Sequence, residues 1–258
     1  MASFAKRVDV SLLGQSLKAP DVHIWHTSLE QSGEAVHALK AILSEEELKR
    51  AERFHFDQHR RHFIAGRGIL RQLLSLYSGI EPGQLQLEYT RNGKPFLPGM
   101  EDESGIRFNL SHSGGMAVYA FTRGREVGID IEHQRPIDNI DRLAERNFSA
   151  KEYTTFGTLP EGERLEAFYL CWTRKEAFIK AIGEGISFPL QQFDVTLIPG
   201  EPAQLLSVNG SSEKARCWSM HNLTIAEGYA AALVIDGSNC ILTQHKWEYP
   251  DKAGRSKT

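Results

Sequence analysis

Cysteine is scarce: Cys171, Cys217 and Cys240 are the only three in 258 residues, widely spaced and without a CxxC or Cys/His pattern. That excludes a disulfide-stapled scaffold and a zinc-ribbon type of site, and it points to a reducing compartment. Long apolar runs are missing as well. No stretch reaches the roughly 18 apolar residues of a membrane span, and the opening MASFAKRVDVSLLG lacks the apolar core of a leader. The expected location is cytoplasmic, with no membrane partner. Charge of one sign is also absent: 30 Lys and Arg against 33 Asp and Glu leave a formal −3. That balance gives no footprint for wrapping nucleic acid. One local exception is the cluster Arg60, Arg61, Arg67 and Arg71, a candidate anion site. The rest is ordinary for a globular protein, 41% hydrophobic and 24% charged. The polar end YPDKAGRSKT is expected to fray.

What is present begins with a faint internal repeat. At a shift of 105 residues, Leu43–Leu48 lies over Phe148–Tyr153, and both read as a capping box: a serine N-cap with glutamate three residues on. The same shift lays Phe63 over Phe168, Arg67 over Trp172 and Arg71 over Glu176. At a shift of 113, Asn109-Leu110-Ser111 lies over Asn222-Leu223-Thr224, and Gly115-Met116-Ala117 over Gly228-Tyr229-Ala230. Helices followed by strands also look alike by chance. Read as a repeat, the chain is two α+β halves, residues 1–122 and 123–258, packed as a pseudo-dimer with a cleft between them, where ligand sites are common.

Periodicity predicts strands over 21–28, 106–110, 116–122, 127–132, 193–198, 216–221 and 229–235. It predicts helices over 44–54, 60–77, 149–156 and 165–182, with a turn at Asn92-Gly93-Lys94-Pro95. Crossover βαβ units are not evident, so the fold class is α+β with largely antiparallel sheets.

Three segments carry chemistry. In Val127-Gly128-Ile129-Asp130-Ile131-Glu132, strand alternation puts Asp130 and Glu132 on one face, roughly 7 Å apart, and Ile129 and Ile131 in the core. Two such carboxylates repel unless a cation lies between them, and a hard ion such as Mg²⁺ suits; a solvated acidic edge is the plainer reading. On the second segment, Trp172, Glu176 and Lys180 fall at i, i+4 and i+8 on one helical face, with Phe168, Leu165 and Ile179 marking that face as buried. An everyday Glu–Lys surface pair would look the same. The third, Phe108-Asn109-Leu110-Ser111-His112-Ser113-Gly114-Gly115, offers hydroxyls, an imidazole and backbone N–H groups at one bend, which suits a phosphate. A hydrolase nucleophile is disfavoured, because no GxSxG elbow is present and adjacent Ser and His on a strand face opposite ways.

Taken in order, the Phe108–Gly114 run, Val127–Glu132, Phe148-Ser149 and Trp172–Lys180, with Gly93-Lys94-Pro95 and the basic helix Arg60–Arg71, closely resemble the motifs of the Sfp-type 4′-phosphopantetheinyl transferases. The resemblance spans most of the chain. It implies a pseudo-dimeric fold with coenzyme A on the first half, and metal ligands and catalytic helix on the second. It also implies a holo-[acyl-carrier-protein] synthase activity: transfer of the 4′-phosphopantetheine arm of coenzyme A to a serine of an acyl or peptidyl carrier protein, releasing adenosine 3′,5′-bisphosphate. Asp130, Glu132 and Glu176 would hold Mg²⁺, and Glu176, or Glu132 through a water, would take the serine proton. Lys180 would stabilise the leaving phosphate. Ser111 and His112, with Arg53, Arg61 and Lys94, and equally Arg67, would bind the phosphates of coenzyme A. One departure is that the family's early lysine pair is replaced by Glu47 and Arg50. Fusion of both halves implies a monomer. A Mg²⁺-dependent phosphoester enzyme without a protein acceptor, or a carrier-binding protein without turnover, are the competing readings.

Overall fold

The computed structural model describes residues 17–100, 105–185 and 188–250. The chain opens with strand β1 (Asp21–Ser28) and helices α1 (Gly33–Lys40), α2 (Glu45–Glu52) and α3 (Asp57–Ser78). A short ribbon, β2 (Glu88–Tyr89) and β3 (Pro95–Phe96), precedes the hairpin β4 (Ile106–Ser113) and β5 (Met116–Arg123). The second half repeats the plan: β6 (Val127–His133), then α4 (Ile140–Asn147), α5 (Ala150–Thr158) and α6 (Glu161–Ile182). The ribbon β7 (Phe193–Val195) and β8 (Leu205–Val208) and the short α7 (Ser212–Ala215) lead to β9 (Trp218–Asn222) and β10 (Tyr229–Asp236). A last strand, β11 (Ile241–Lys246), follows.

Leaving β11 aside, the two sheets match strand for strand. One has the order β11-β1-β5-β4 and the other β6-β10-β9, so in each half the first strand pairs with the last and the last with the one before it. All these pairings are antiparallel except β1 with β11. The strand β11 was not anticipated. It returns from the second half to the open edge of β1, giving that edge a partner. Trp247, just beyond it, is buried in the first half's core. The fraying expected of the terminal residues falls, from Asp251 onward, outside the described residues.

Alternation along the strands builds the layers. Trp25, Tyr119 and Phe121 point into a core shared with α3, whereas Val22, Ile24, Val118 and Ala120 point the other way. There they meet Ile129, Ile131, Ala231 and Leu233 of the second sheet. The opposite face of that sheet, Ala230, Ala232 and Val234, packs with α6 residues such as Ala177 and Phe178. Each fully buried aliphatic or aromatic side chain contributes roughly 1.5–3 kcal/mol.

Both predicted capping boxes are present. Ser44 accepts from Glu47 N while Glu47 accepts from Ser44 N, and Ser149 and Glu152 do the same. The long helices are both 22 residues and both end on a left-handed glycine, Gly79 and Gly183. Their alignment corrects the repeat by one residue: a shift of 104, not 105, lays α3 on α6, so Arg71 matches Lys175 rather than Glu176. Those two cations do the same work. Arg71 Nε donates to Glu47 Oε2 at 2.6 Å and Lys175 Nζ to Glu152 Oε2 at 2.8 Å. Each also binds two backbone carbonyls of the turn that follows its helix, Pro82 and Leu85 for Arg71, and Leu190 and Phe193 for Lys175.

Candidate active site

Two sheet edges meet at the centre of the molecule. Strands β4 and β6 lie side by side, joined through side chains. Asn109 Oδ1 accepts from Ile129 N at 3.0 Å, Ser111 Oγ donates to Asp130 Oδ1 at 2.8 Å, and Ser113 Oγ donates to Glu132 Oε2 at 2.6 Å. The odd-numbered residues of β4 therefore face the second half. His112, between the two serines, faces away into an open cleft, as expected for adjacent residues on a strand. The hairpin turns through Gly114 and Gly115, both at positive φ (53° and 84°), the two-residue turn that only glycine-like residues adopt without strain. A Cβ on Gly114 would also lie 2.6 Å from that of His133.

Helix α6 reaches this junction because of Gly128. A Cβ there would sit 2.0 Å from the carbonyl oxygen of Ala177 and 2.3 Å from the amide nitrogen of Ala181. Glycine in an otherwise apolar strand is a sequence sign of close approach, and here the helix backbone lies directly on β6. Lys180 consequently donates to Asp130 Oδ1 at 2.6 Å and to Ser111 Oγ at 2.9 Å. Its ion-pair partner is thus Asp130 across the junction, not the surface pairing with Glu176 that the i, i+4 spacing also allowed.

The expectation about the buried face of α6 needs correcting. Trp172, Glu176 and Lys180 form a half-buried stripe, with Trp172 stacked on Phe168 at 6.0 Å between centroids. The residues buried outright include Thr173, Arg174 and Lys175, with Arg174 and Lys175 fully inaccessible. They tolerate burial because each is satisfied. Arg174 donates to Asn222 Oδ1 and to the Thr196 carbonyl and hydroxyl. Burial pulls the Arg174 guanidinium down to about 10.

Electrostatically, the junction holds more negative charge than its partners neutralise. Asp130 is 3% exposed, and its second oxygen, Oδ2, is buried with no hydrogen-bond partner among the described residues. Burial pushes the Glu132 carboxyl up, opposed by the Ser113 hydrogen bond and reinforced by Asp130. Burial likewise pushes Glu176 up, helped by Asp130 and Glu132 and opposed by Lys180. Among the described residues no group of three or more His, Cys, Asp or Glu side chains is placed to hold a metal ion. A buried carboxylate oxygen with no donor, beside two carboxyls that resist ionising together, is nonetheless the chemistry that a hard cation satisfies.

Ser111, His112 and Lys180 line a cleft of about 830 Å³ that continues over Arg50, Phe63, Arg67, Tyr89 and Lys94. Its floor meets the carboxylates through Lys180 and Ser111, both bonded to Asp130. Burial lowers the His112 imidazole, with the Lys180 and His62 charges adding to the effect. Among the predicted anion ligands, Arg67 and Lys94 reach the cleft, whereas Arg53 and Arg61 do not line it. Arg53 caps the C-terminus of α2 and is exposed, and Arg61 donates to the Gln31 carbonyl at 2.9 Å. For Arg61 helical phase is the reason, since a run of arginines on one helix cannot all face one side. Arg67 is already engaged by Glu47 at 3.5 Å and by the Tyr89 hydroxyl. Glu47, the departure from the family pattern, is thus the partner of two buried arginines, while Arg50 three residues on lines the cleft. No sequence signal singled out Gly128 as a site residue, nor the pair Glu30–His62, joined at 2.7 Å on the cleft wall.

The chain is similar to known proteins over most of its length. Residues 126–234 match the 4′-phosphopantetheinyl transferase superfamily, and residues 25–123 match the N-terminal region of a 4′-phosphopantetheinyl transferase. The chain is 41% identical to the 4′-phosphopantetheinyl transferase HetI of Nostoc sp. over 222 residues, covering 86% of this chain and 90% of that one. It is 32% identical to the 4′-phosphopantetheinyl transferase Sfp of Bacillus subtilis over 157 residues, covering 61% and 67%. Among solved structures, the holo-[acyl-carrier-protein] synthase of Thermotoga maritima overlays 44% of this chain and 64% of its own, at 24% identity and a TM-score of 0.35. The chain belongs to the 4′-phosphopantetheinyl transferase family.

Proposed function

We propose that the protein transfers the 4′-phosphopantetheine arm of coenzyme A to a serine of an acyl or peptidyl carrier protein, with Mg²⁺ held by Asp130, Glu132 and Glu176. The observation that carries the site assignment is Asp130: a buried carboxylate, bare on one oxygen and bonded on the other by Lys180 and Ser111, both of which line the cleft. Bound there, the metal supplies charge neutralisation for the pyrophosphate and its leaving oxygen. The protein's own groups do the rest. Glu176, or Glu132 through a water, takes the proton of the carrier serine. The serine oxygen bonds to the β-phosphorus as the bridging P–O bond breaks and adenosine 3′,5′-bisphosphate leaves. Lys180, fixed by Asp130 and Ser111, faces the departing phosphate. His112, with Arg50 and Arg67 along the cleft, binds the phosphates of coenzyme A.

The deciding experiment is to incubate the protein with coenzyme A, Mg²⁺ and an apo carrier protein, and to weigh the carrier. A gain of one phosphopantetheine arm is expected. Free adenosine 3′,5′-bisphosphate with an unmodified carrier would instead identify a phosphoester enzyme without a protein acceptor. No helix among the described residues is long and apolar enough to cross a membrane. Three free thiols suit a reducing, cytoplasmic setting, and two fused halves, 1–122 and 123–258, suit a monomer, which sedimentation tests.

The role of His112 has its own test. Coenzyme A differs from dephospho-coenzyme A by the 3′-phosphate alone. Losing one charge-assisted contact costs about 1.5–3 kcal/mol, roughly 10- to 150-fold in affinity. His112→Ala therefore binds coenzyme A that much more weakly, and dephospho-coenzyme A about as the wild type does. Equal weakening of both would assign His112 to the pyrophosphate or to the fold.

A further inference from the structure

The last turn of α6 carries Lys180, and like any helix end it leaves carbonyls without intrahelical donors. Two of them are capped from the other half of the molecule. Lys94 Nζ donates to the Ala181 carbonyl at 3.0 Å, and Asn92 Nδ2 donates to the Gly183 carbonyl at 2.9 Å. The tip that carries them is itself stiff. Thr90 N bonds to Lys94 O and Gly93 N to Thr90 O, each at 2.9 Å, and Lys94 N bonds to the Thr90 hydroxyl at 3.1 Å. Lys94 is not free for a ligand. Its side chain is 15% exposed, and its ammonium also donates to Glu126 Oε2 at 2.7 Å. A cation at a helix C-terminus opposes the negative end of the helix dipole as well as filling a lone pair.

We infer that Asn92 and Lys94 are positioning residues for Lys180: the β2–β3 tip pins the C-terminal turn of α6 across the cleft, so that the Lys180 ammonium stays on Asp130 and Ser111. This rests on Lys180 acting in the transfer. It assigns Lys94 to the helix end rather than to the phosphates of coenzyme A. Asn92, an uncharged residue, shares the task at the neighbouring carbonyl.

The experiment separates binding, turnover and local order in the full-length protein. For Asn92→Ala, Lys94→Met and Lys94→Arg, the Kd for coenzyme A is measured without carrier, kcat with carrier, and amide exchange across residues 176–185 in the free protein. Asn92→Ala and Lys94→Met should each lower kcat roughly ten-fold, about 1.4 kcal/mol, with Kd changed less than about two-fold. Exchange should quicken at Ala181–Gly183 and nowhere else. Lys94→Arg, still a donor, should recover most of the lost turnover. The inference is overturned if Lys94→Met weakens coenzyme A about ten-fold while Asn92→Ala behaves as wild type, which would make Lys94 a phosphate ligand. Unchanged exchange in both variants overturns it equally. Should Lys180→Ala keep full turnover, the catalytic assignment of Lys180 fails, and the exchange measurement still decides whether the tip holds the helix.

Discussion

The two halves share a plan and differ where the plan touches chemistry. Each has a capped helix whose glutamate is clamped by a buried cation of the long helix that follows, Glu47 by Arg71 and Glu152 by Lys175. At the next contact they part. Where the second half lays Gly128 against the backbone of Ala181, the first half has His23 and Tyr77, bonded ring to hydroxyl at 3.0 Å. Side chains hold α3 off β1, whereas bare backbone lets α6 lie on β6. In the strand register, Asp130 and Glu132 correspond to Trp25 and Thr27, and along the helix Glu176 corresponds to Gln72. One half thus contributes a carboxylate site and the other the His112 turn and most of the cationic cleft wall. A repeat that stays symmetric in its scaffold and becomes asymmetric in its cleft makes one site instead of two.

The largest effect should come from the asymmetric positions. Asp130→Ala or Glu176→Ala should lower kcat/KM by about a thousand-fold or more, around 4 kcal/mol, with the fold retained. Gln72→Ala, the matched change in the first half, should leave transfer within about two-fold. Retention of more than about a tenth of wild-type kcat/KM by either carboxylate variant would remove that residue from the metal site.

Breaking the symmetric clamps tests the opposite claim, that these residues serve the fold alike. Lys175→Met leaves Glu152 without its buried cation and should cost about 3–5 kcal/mol in urea unfolding, whereas Arg71→Met leaves Glu47 with Arg67 and should cost less. A loss under about 1 kcal/mol for one and not the other would show that the clamps are not equivalent.

Gly128→Ala sharpens the contrast in helix approach. With no room for a Cβ, α6 must shift outward, at a cost of about 3 kcal/mol. Turnover should fall further than stability explains, because Lys180 moves off Asp130. An alanine variant of wild-type activity and stability would mean that the approach has slack.

The smallest effect concerns pH and metal together. Burial and mutual repulsion raise the Glu132 and Glu176 carboxyls in the folded state. A raised acid contributes stability below its unfolded value of about 4.5, and that contribution disappears as pH rises through the folded value. Metal-free protein should therefore lose stability from about pH 4.5 upward, and Mg²⁺ should restore part of it at neutral pH. Glu176→Gln, which cannot ionise, should raise Tm in metal-free buffer while abolishing the Mg²⁺ response. A lower Tm for that variant at pH 7 would show that Glu176 is already paired in the folded protein.

Much of this was legible from residues alone. The capping boxes, the outward and inward faces of β6 and the stripe Trp172–Glu176–Lys180 all follow from local geometry, which a strand or helix imposes on any sequence. The chemistry-bearing segments were found for the same reason, since each is short and contiguous. The short helices α1 and α4 escaped, and so did three further features. The strand β11 carries little signal, with one apolar residue on each face, Ile241 and Leu242, among polar ones. The arginines of α3 could not be sorted from sequence, because Arg61 and Arg67 look alike until Gln31 and Glu47 claim them. The burial of Arg174 and Lys175 on α6 carries no local signal, because their partners, Glu152, Asn222, Thr196 and the carbonyls of Leu190 and Phe193, lie 15 and more positions away.

Sequence by itself therefore determined the longer helices, the main strands and their order, because period, caps and turn residues act over a few positions. Only the tertiary structure decided which charges meet. Lys180 takes Asp130 rather than Glu176, Ser111 and Ser113 face the carboxylates while His112 faces the cleft, and Lys94 lies on the end of α6. Each of these choices is made between strands and helices tens of residues apart. It depends on how closely two backbones pack, which one glycine at position 128 sets and no local pattern can state.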